Sequence, residues 1–168
     1  APAAPPARFA MRMAPASRGV QMIADALPHP ISVLQAVAPA GAPRIREPHF
    51  STAGPDAEEL SLRFTWDAGD HAVDCLVELS RSPEQPREAG FALDDRWGHR
   101  LVRTADYAQF LASGAQLVDL PDPLPRLIAD FVVACRDPSV RASPSAKIVP
   151  RLAAVMDLAD AYLEQDRR

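Results

Sequence analysis

The stretch LSLRFTWDAGDHAVDCLVEL, Leu60 to Leu79, decides the class of fold. Leu60, Leu62, Phe64 and Trp66 alternate with Ser61, Arg63 and Thr65, so a strand here has one apolar and one polar face. Asp67-Ala68-Gly69-Asp70 carries turn chemistry, after which Val73, Cys75, Val77 and Leu79 resume period 2 around Asp74 and Glu78. Residues 58–81 therefore predict an antiparallel hairpin. Leu76, between Asp74 and Glu78, falls on its outward face and hints at a contact there.

Further strands are expected on both sides. Upstream, Arg8 to Ala14 alternates and is stopped by Pro15 and Gly19, and a second strand is expected over Ile45 to Thr52. Downstream, Glu88–Leu93 and Arg100–Arg103 flank an Asp94–Gly98 turn, and Gln116–Leu120 closes the set. Elsewhere the period is helical. Val20, Ile23, Leu27, Ile31, Leu34 and Val37 recur at steps of three or four, interrupted by Pro28 and Pro30. Pro30 can open the second half of that helix, because its missing N–H would have no partner in a first turn; the helix then runs to Ala38 and is closed by Pro39, Gly41 and Pro43. Leu124, Leu127, Ile128, Phe131, Val132 and Cys135 predict an amphipathic helix from Asp122-Pro123 to Asp137-Pro138. Ile148, Leu152, Val155, Met156, Ala159 and Leu163 predict a last one, with Ser145 as its cap and Pro150 bending its first turn. Strands bracketed by helices, without an internal repeat, imply an α+β fold: a mostly antiparallel open β-sheet with helices packed on one face.

Composition sets the outer limits. The 168 residues, 48% hydrophobic and 24% charged, suit one globular domain, here residues 8–168, behind a Pro/Ala-rich linker-like segment at residues 1–7. Lys and Arg number 18 against 22 Asp and Glu with no basic block, which argues against a nucleic-acid partner. No apolar run of membrane-spanning length and no secretory leader pattern is present, so the expected location is the cytoplasm, away from membranes. Cys75 and Cys135 read as small core residues rather than a disulfide framework. His29, His49, His71 and His99 lack the spacing of a metal site. No two of the seven glycines sit two residues apart and there is no GK[ST] loop, so this chain alone is expected to bind no nucleotide cofactor. Hydrolase signatures such as GxSxG and HExxH are missing as well.

One pair of residues has the chemistry of proton transfer. Asp25 lies four residues before His29, so a helix sets both on one face, where a carboxylate can fix the imidazole tautomer and raise its basicity. The competing reading is a local cap at Asp25 and a packed His29 at a kink. Three weaker candidates each have a bland reading: Asp94-Asp95-Arg96 is a polyol site or a solvated turn, Trp66 and Trp97 are sugar-stacking rings or core, and Arg44, Arg46 and Arg63 are an anion site or plain surface.

Arg18-Gly19-Val20 followed by Asp25-Ala26-Leu27-Pro28-His29-Pro30-Ile31-Ser32, just after a first strand and opening a helix, resembles the start of the C-terminal domain in the glucose–fructose oxidoreductase and inositol dehydrogenase (Gfo/Idh/MocA) family. Asp122-Pro123-Leu124 with Ile128-Ala129-Asp130-Phe131 is similar to that family's penultimate helix, and the Ala-rich segment ending near Tyr162 to its last. The likeness extends over most of the chain in the order of elements and is specific at the residue level only at Asp25 and His29. It implies the substrate-binding and oligomerisation half of an NAD(P)-dependent oxidoreductase of sugars, polyols or related hydroxy compounds. NAD or NADP would be bound by a Rossmann domain in cis that this chain does not contain, leaving the chain inactive by itself, and copies would associate through the open sheet face. By the same likeness His29 and Asp25 are catalytic and substrate-binding: His29 receives the hydroxyl proton and Asp25 binds or orients. Two departures stand out. Pro30 follows His29 and should push it away from helical dihedrals, and a single Gly19 stands where the family has a pair. The alternative is a ligand- or protein-binding module of the same fold without catalysis.

Overall fold

The computed structural model describes residues 4–39, 44–51, 54, 56–137, 139 and 145–167. Ala1–Ala3 of the linker-like opening, the helix stop at Gly41 and Pro43, Thr52 and Pro138 lie outside the described residues. Twelve elements follow in order: β1 (Arg8–Met13), α1 (Val20–Ala26), α2 (Pro28–Val37), β2 (Arg44–Phe50), β3 (Glu59–Asp67), β4 (Ala72–Ser80), β5 (Ala89–Leu93), β6 (Arg96–Arg103), β7 (Ala108–Ser113), β8 (Gln116–Leu120), α3 (Pro123–Arg136) and α4 (Ser145–Asp166). The strands form one sheet in the order β2-β3-β4-β1-β5-β6-β7-β8. Every neighbouring pair is antiparallel except β1 with β4. That parallel pair needs a crossover, and α1 and α2 sit in the connection between β1 and the β2-β3-β4 meander. The fold is α+β, with a mostly antiparallel open sheet.

The quoted hairpin is β3 and β4, registered Leu60 to Leu79, Leu62 to Val77, Phe64 to Cys75 and Trp66 to Val73. These eight side chains are buried on one face, joined through the β1 register by Phe9 and Met11. Over them lie Met22, Ile23 and Ala26 of α1, Ile31 and Leu34 of α2, and Ala154, Val155, Leu158 and Tyr162 of α4. α1 and α2 both pack on α4, which also leans on β2. Trp66 belongs to the core and its indole N–H donates to the Ala38 carbonyl at 3.1 Å, tying the end of α2 to β3.

Several expectations are corrected. The helix through Val20–Val37 breaks at Leu27, and its second half opens at Pro28 rather than Pro30; Pro28 sits in the first turn, where its missing N–H has no intrahelical partner to lose. The turn after β5 is only Asp94-Asp95, with φ of 48° and 68°, and β6 starts at Arg96, so Gly98 lies within a strand. β7 was not anticipated. It follows a turn ending at Tyr107, with φ 58°, where no glycine or proline signals the reversal. α4 begins with Ser145 already helical and continues through Pro150. Cys135 is exposed, because α3 buries none of its residues, whereas Cys75 is in the core. No helix of the described residues is long and apolar enough to cross a membrane.

Candidate active site

Asp25 is the penultimate residue of α1 and His29 is the second residue of α2. Leu27 between them keeps helical dihedrals (φ −66°, ψ −22°), its N–H donates to Ile23 and its carbonyl accepts from Ile31. The chain thus passes from α1 to α2 almost without a break, and His29 remains helical although Pro30 follows it. Both Asp25 and His29 are exposed, and both line one cavity of about 680 Å³ between the helices and the sheet. No hydrogen bond or ion pair joins them among the described residues, so the tautomer of His29 is not set by Asp25 in this structure.

The opposite wall of the cavity comes from the strands. Arg87 and Glu88 stand just before β5, and Arg100 comes from β6; Ser32 of α2 is on the helix side. Arg100 pairs with Leu111 across β6 and β7, on the same face of the sheet as Val102 and Gly98. Its Nη2 donates to the Arg87 carbonyl at 2.6 Å and its Nη1 to Gln109 Oε1 at 3.4 Å. The Arg87 Nε donates to the Ser82 carbonyl at 3.0 Å. Sequence reading did not single out Arg87 or Arg100. Along β6, Trp97, His99 and Leu101 look like the apolar core-facing set, yet the register with β5 puts them on the opposite face and turns Arg100 inward.

The weaker candidates resolve into structural roles or open surface. Asp94 Oδ1 accepts from the backbone N–H groups of Ala7 and Arg8 at 2.9 and 3.0 Å, and Asp95 pairs with Arg8, so these two acids fasten the start of β1 to the β5–β6 turn. Trp97 lies on the helix-free face, stacked on His99 at 5.6 Å with the Arg12 guanidinium 4.8 Å from its ring. Arg12 also donates to Glu78 at 2.7 Å. Arg12, Glu78 and His99, with Glu59, border a hollow of about 820 Å³ on that side. Arg46 pairs with Asp67 at 3.3 Å, whereas Arg44 and Arg63 are exposed.

No family model and no curated protein matches the sequence. Among solved structures, the chain is similar to UDP-N-acetylglucosamine 3-dehydrogenase GnnA from Acidithiobacillus ferrooxidans in two crystal forms, with TM-scores of 0.56 and 0.57 at 19% and 18% identity; 94% of this chain and 53% of that chain are covered. A Gfo/Idh/MocA family oxidoreductase from Vibrio cholerae gives a TM-score of 0.51 at 13% identity, over 95% of this chain and 52% of that one. The chain thus has a fold found in Gfo/Idh/MocA oxidoreductases, and it spans about half the length of the solved structures it matches.

Proposed function

We propose that residues 8–168 are the substrate-side and oligomerisation domain of a cytoplasmic NAD(P)-dependent oxidoreductase acting on a sugar, polyol or related hydroxy compound, with residues 1–7 linking it to a Rossmann domain in the same polypeptide. The observation that supports this most is that Asp25 and His29 open on one cavity, at the helix entry after β1, on a fold shared with solved oxidoreductases. A nicotinamide would supply the hydride acceptor. In this reading the dinucleotide falls to the other domain, since α1, the first helix after a strand, opens at Gly19 alone and has seven residues. The work left to this chain is to hold the hydroxyl-bearing carbon, with Asp25 binding or orienting the hydroxyl and the His29 imidazole taking its proton. The helix-free face, with Arg12, Trp97 and His99 on it, is the surface through which copies would pair.

The test uses the intact natural protein. NADH or NADPH should bind, read by nicotinamide fluorescence, and a panel of sugars and polyols should reduce the oxidised cofactor. His29→Ala should lower kcat by roughly 10²- to 10⁴-fold, the usual worth of a positioned general base, with cofactor binding unchanged. Light scattering at micromolar concentration should find an oligomer. A protein that binds neither cofactor, or whose turnover survives His29→Ala, leaves the chain as a binding module of this fold.

A further inference from the structure

The strand wall of the Asp25/His29 cavity carries two guanidiniums whose only described partners are neutral. Arg100 is half-buried; two of its nitrogens donate to the Arg87 carbonyl and to Gln109 Oε1, and its buried Nε has no partner among the described residues. Arg87, also half-buried, is held through Nε by the Ser82 carbonyl. Other arginines of the same sheet have found carboxylates: Arg12 with Glu78, Arg46 with Asp67, and Arg103 with Asp106. Among the described residues neither Arg87 nor Arg100 has one within ion-pair distance, although Asp25 and Glu88 line the same cavity. A guanidinium drawn partly out of water, with donors to spare and neutral acceptors only, is short of the planar anion that its fork geometry fits.

We propose that Arg87 and Arg100 make this an anion-accepting cavity, whose ligand carries a carboxylate or phosphate group in addition to a sugar-like hydroxyl. The placing of that hydroxyl at Asp25 and His29 rests on the oxidoreductase reading; the anion subsite does not. The cavity has Asp25 and the His29 imidazole on its helix wall, and on its strand wall two arginines against the single Glu88. A single acidic sugar derivative can use both, its hydroxyl end meeting His29 and its anionic end the arginines. A neutral sugar would leave the strand wall unmatched.

Calorimetric titration of the intact natural protein with glucose, glucuronate and glucose 1-phosphate tests this, and the last two separate a carboxylate from a phosphate. At least one anionic sugar should bind roughly ten- to hundredfold more tightly than glucose, which is the worth of a hydrogen-bonded charge. Arg100→Gln should remove most of that preference. Because Arg100 also braces Arg87 and Gln109, Arg87→Gln is measured beside it, with thermal melts to show that both variants are folded; Arg87→Gln should also lower the preference. The proposal is overturned if neither anion exceeds glucose, or if the preference persists in folded variants of both arginines. Arginine-dependent anion binding by a protein that never reduces a nicotinamide cofactor would sink the oxidoreductase reading and leave the subsite standing.

Discussion

The Tyr162 hydroxyl donates to the Gly54 carbonyl at 2.7 Å and accepts from the Gly54 N–H at 2.9 Å, while its ring meets Phe50 edge-on at 5.2 Å. Gln165, one turn later, uses both ends of its amide on the backbone of Phe50. β2 is an edge strand, so its last residue has no further strand to pair with, and α4 supplies the missing partners. Tyr162→Phe keeps the ring and removes two hydrogen bonds; it should cost about 1–3 kcal/mol of stability in urea denaturation, with an unchanged slope. At the acid end, the Arg103 guanidinium beside Asp106 pulls its carboxyl down to about 2. A group whose folded pKa is depressed adds stability above its unfolded value, near pH 4, and loses it as the pH falls toward 2. Asp106→Asn should therefore flatten the loss of thermal stability in that window, measured by melts from pH 5 to pH 2. The residues of the candidate site divide in the same local-versus-distant way. That Asp25 and His29 would share a side of the chain is legible from their spacing of four, and in the structure they line one cavity. Arg87 and Arg100 are not legible in this way, because only the β5–β6–β7 register turns them toward the same cavity.

Among the elements, the most legible are those whose side chains have one buried face within their own neighbourhood. β3 and β4 bury every second residue, so the period gives their faces, and the Asp67–Asp70 turn between them sets the register. β7 has no such contrast: all six of its residues are of intermediate exposure, so there was no alternation to read. The β5–β6 turn is shorter than the expected Asp94–Gly98 stretch for a chemical reason. A two-residue reversal wants positive φ at both positions, which Asn-Gly or Asp-Gly usually provides, and here Asp94-Asp95 adopts it with the Asp94 carboxylate fixed by two backbone N–H groups. Gly98, inside the expected Asp94–Gly98 turn, instead lies within β6 opposite Phe91 and beside Leu111 of β7, where a Cβ would come within 3.1 Å of the leucine side chain. Gly90, opposite His99 in the β5–β6 register, is a sharper test of the element. A Cβ there would lie 2.8 Å from His99 Nδ1 and 3.0 Å from the Gly98 carbonyl, so the imidazole must leave its stack on Trp97 and the backbone must shift. Gly90→Ala should destabilise the protein by about 1–3 kcal/mol, as overpacking does, seen as a lower urea midpoint.

At the scale of the whole molecule, the unsolved part of the packing is α3. Its stripe has the spacing of a core-facing helix, yet Leu127, Ile128 and Phe131 are 60%, 55% and 69% exposed, and Val118 and Leu120, on one face of β8, are exposed too. Spacing shows which face of a helix wants cover; it does not say whether the cover comes from the same domain. An exposed apolar stripe along a whole helix face marks a contact. In the proposed two-domain protein, the contact is with the Rossmann half. Cys135 reports on it, since it falls on the same stripe and is a free thiol open to solvent in this chain, whereas burial pushes the Cys75 thiol up to about 12 and leaves it inert at neutral pH. Alkylation of the intact natural protein, followed by mass spectrometry of its peptides, should then find both cysteines protected in the native state and both labelled after denaturation. Fast native labelling at Cys135, with Cys75 still protected, would mean that nothing covers α3 and that the preceding domain docks elsewhere or is not there.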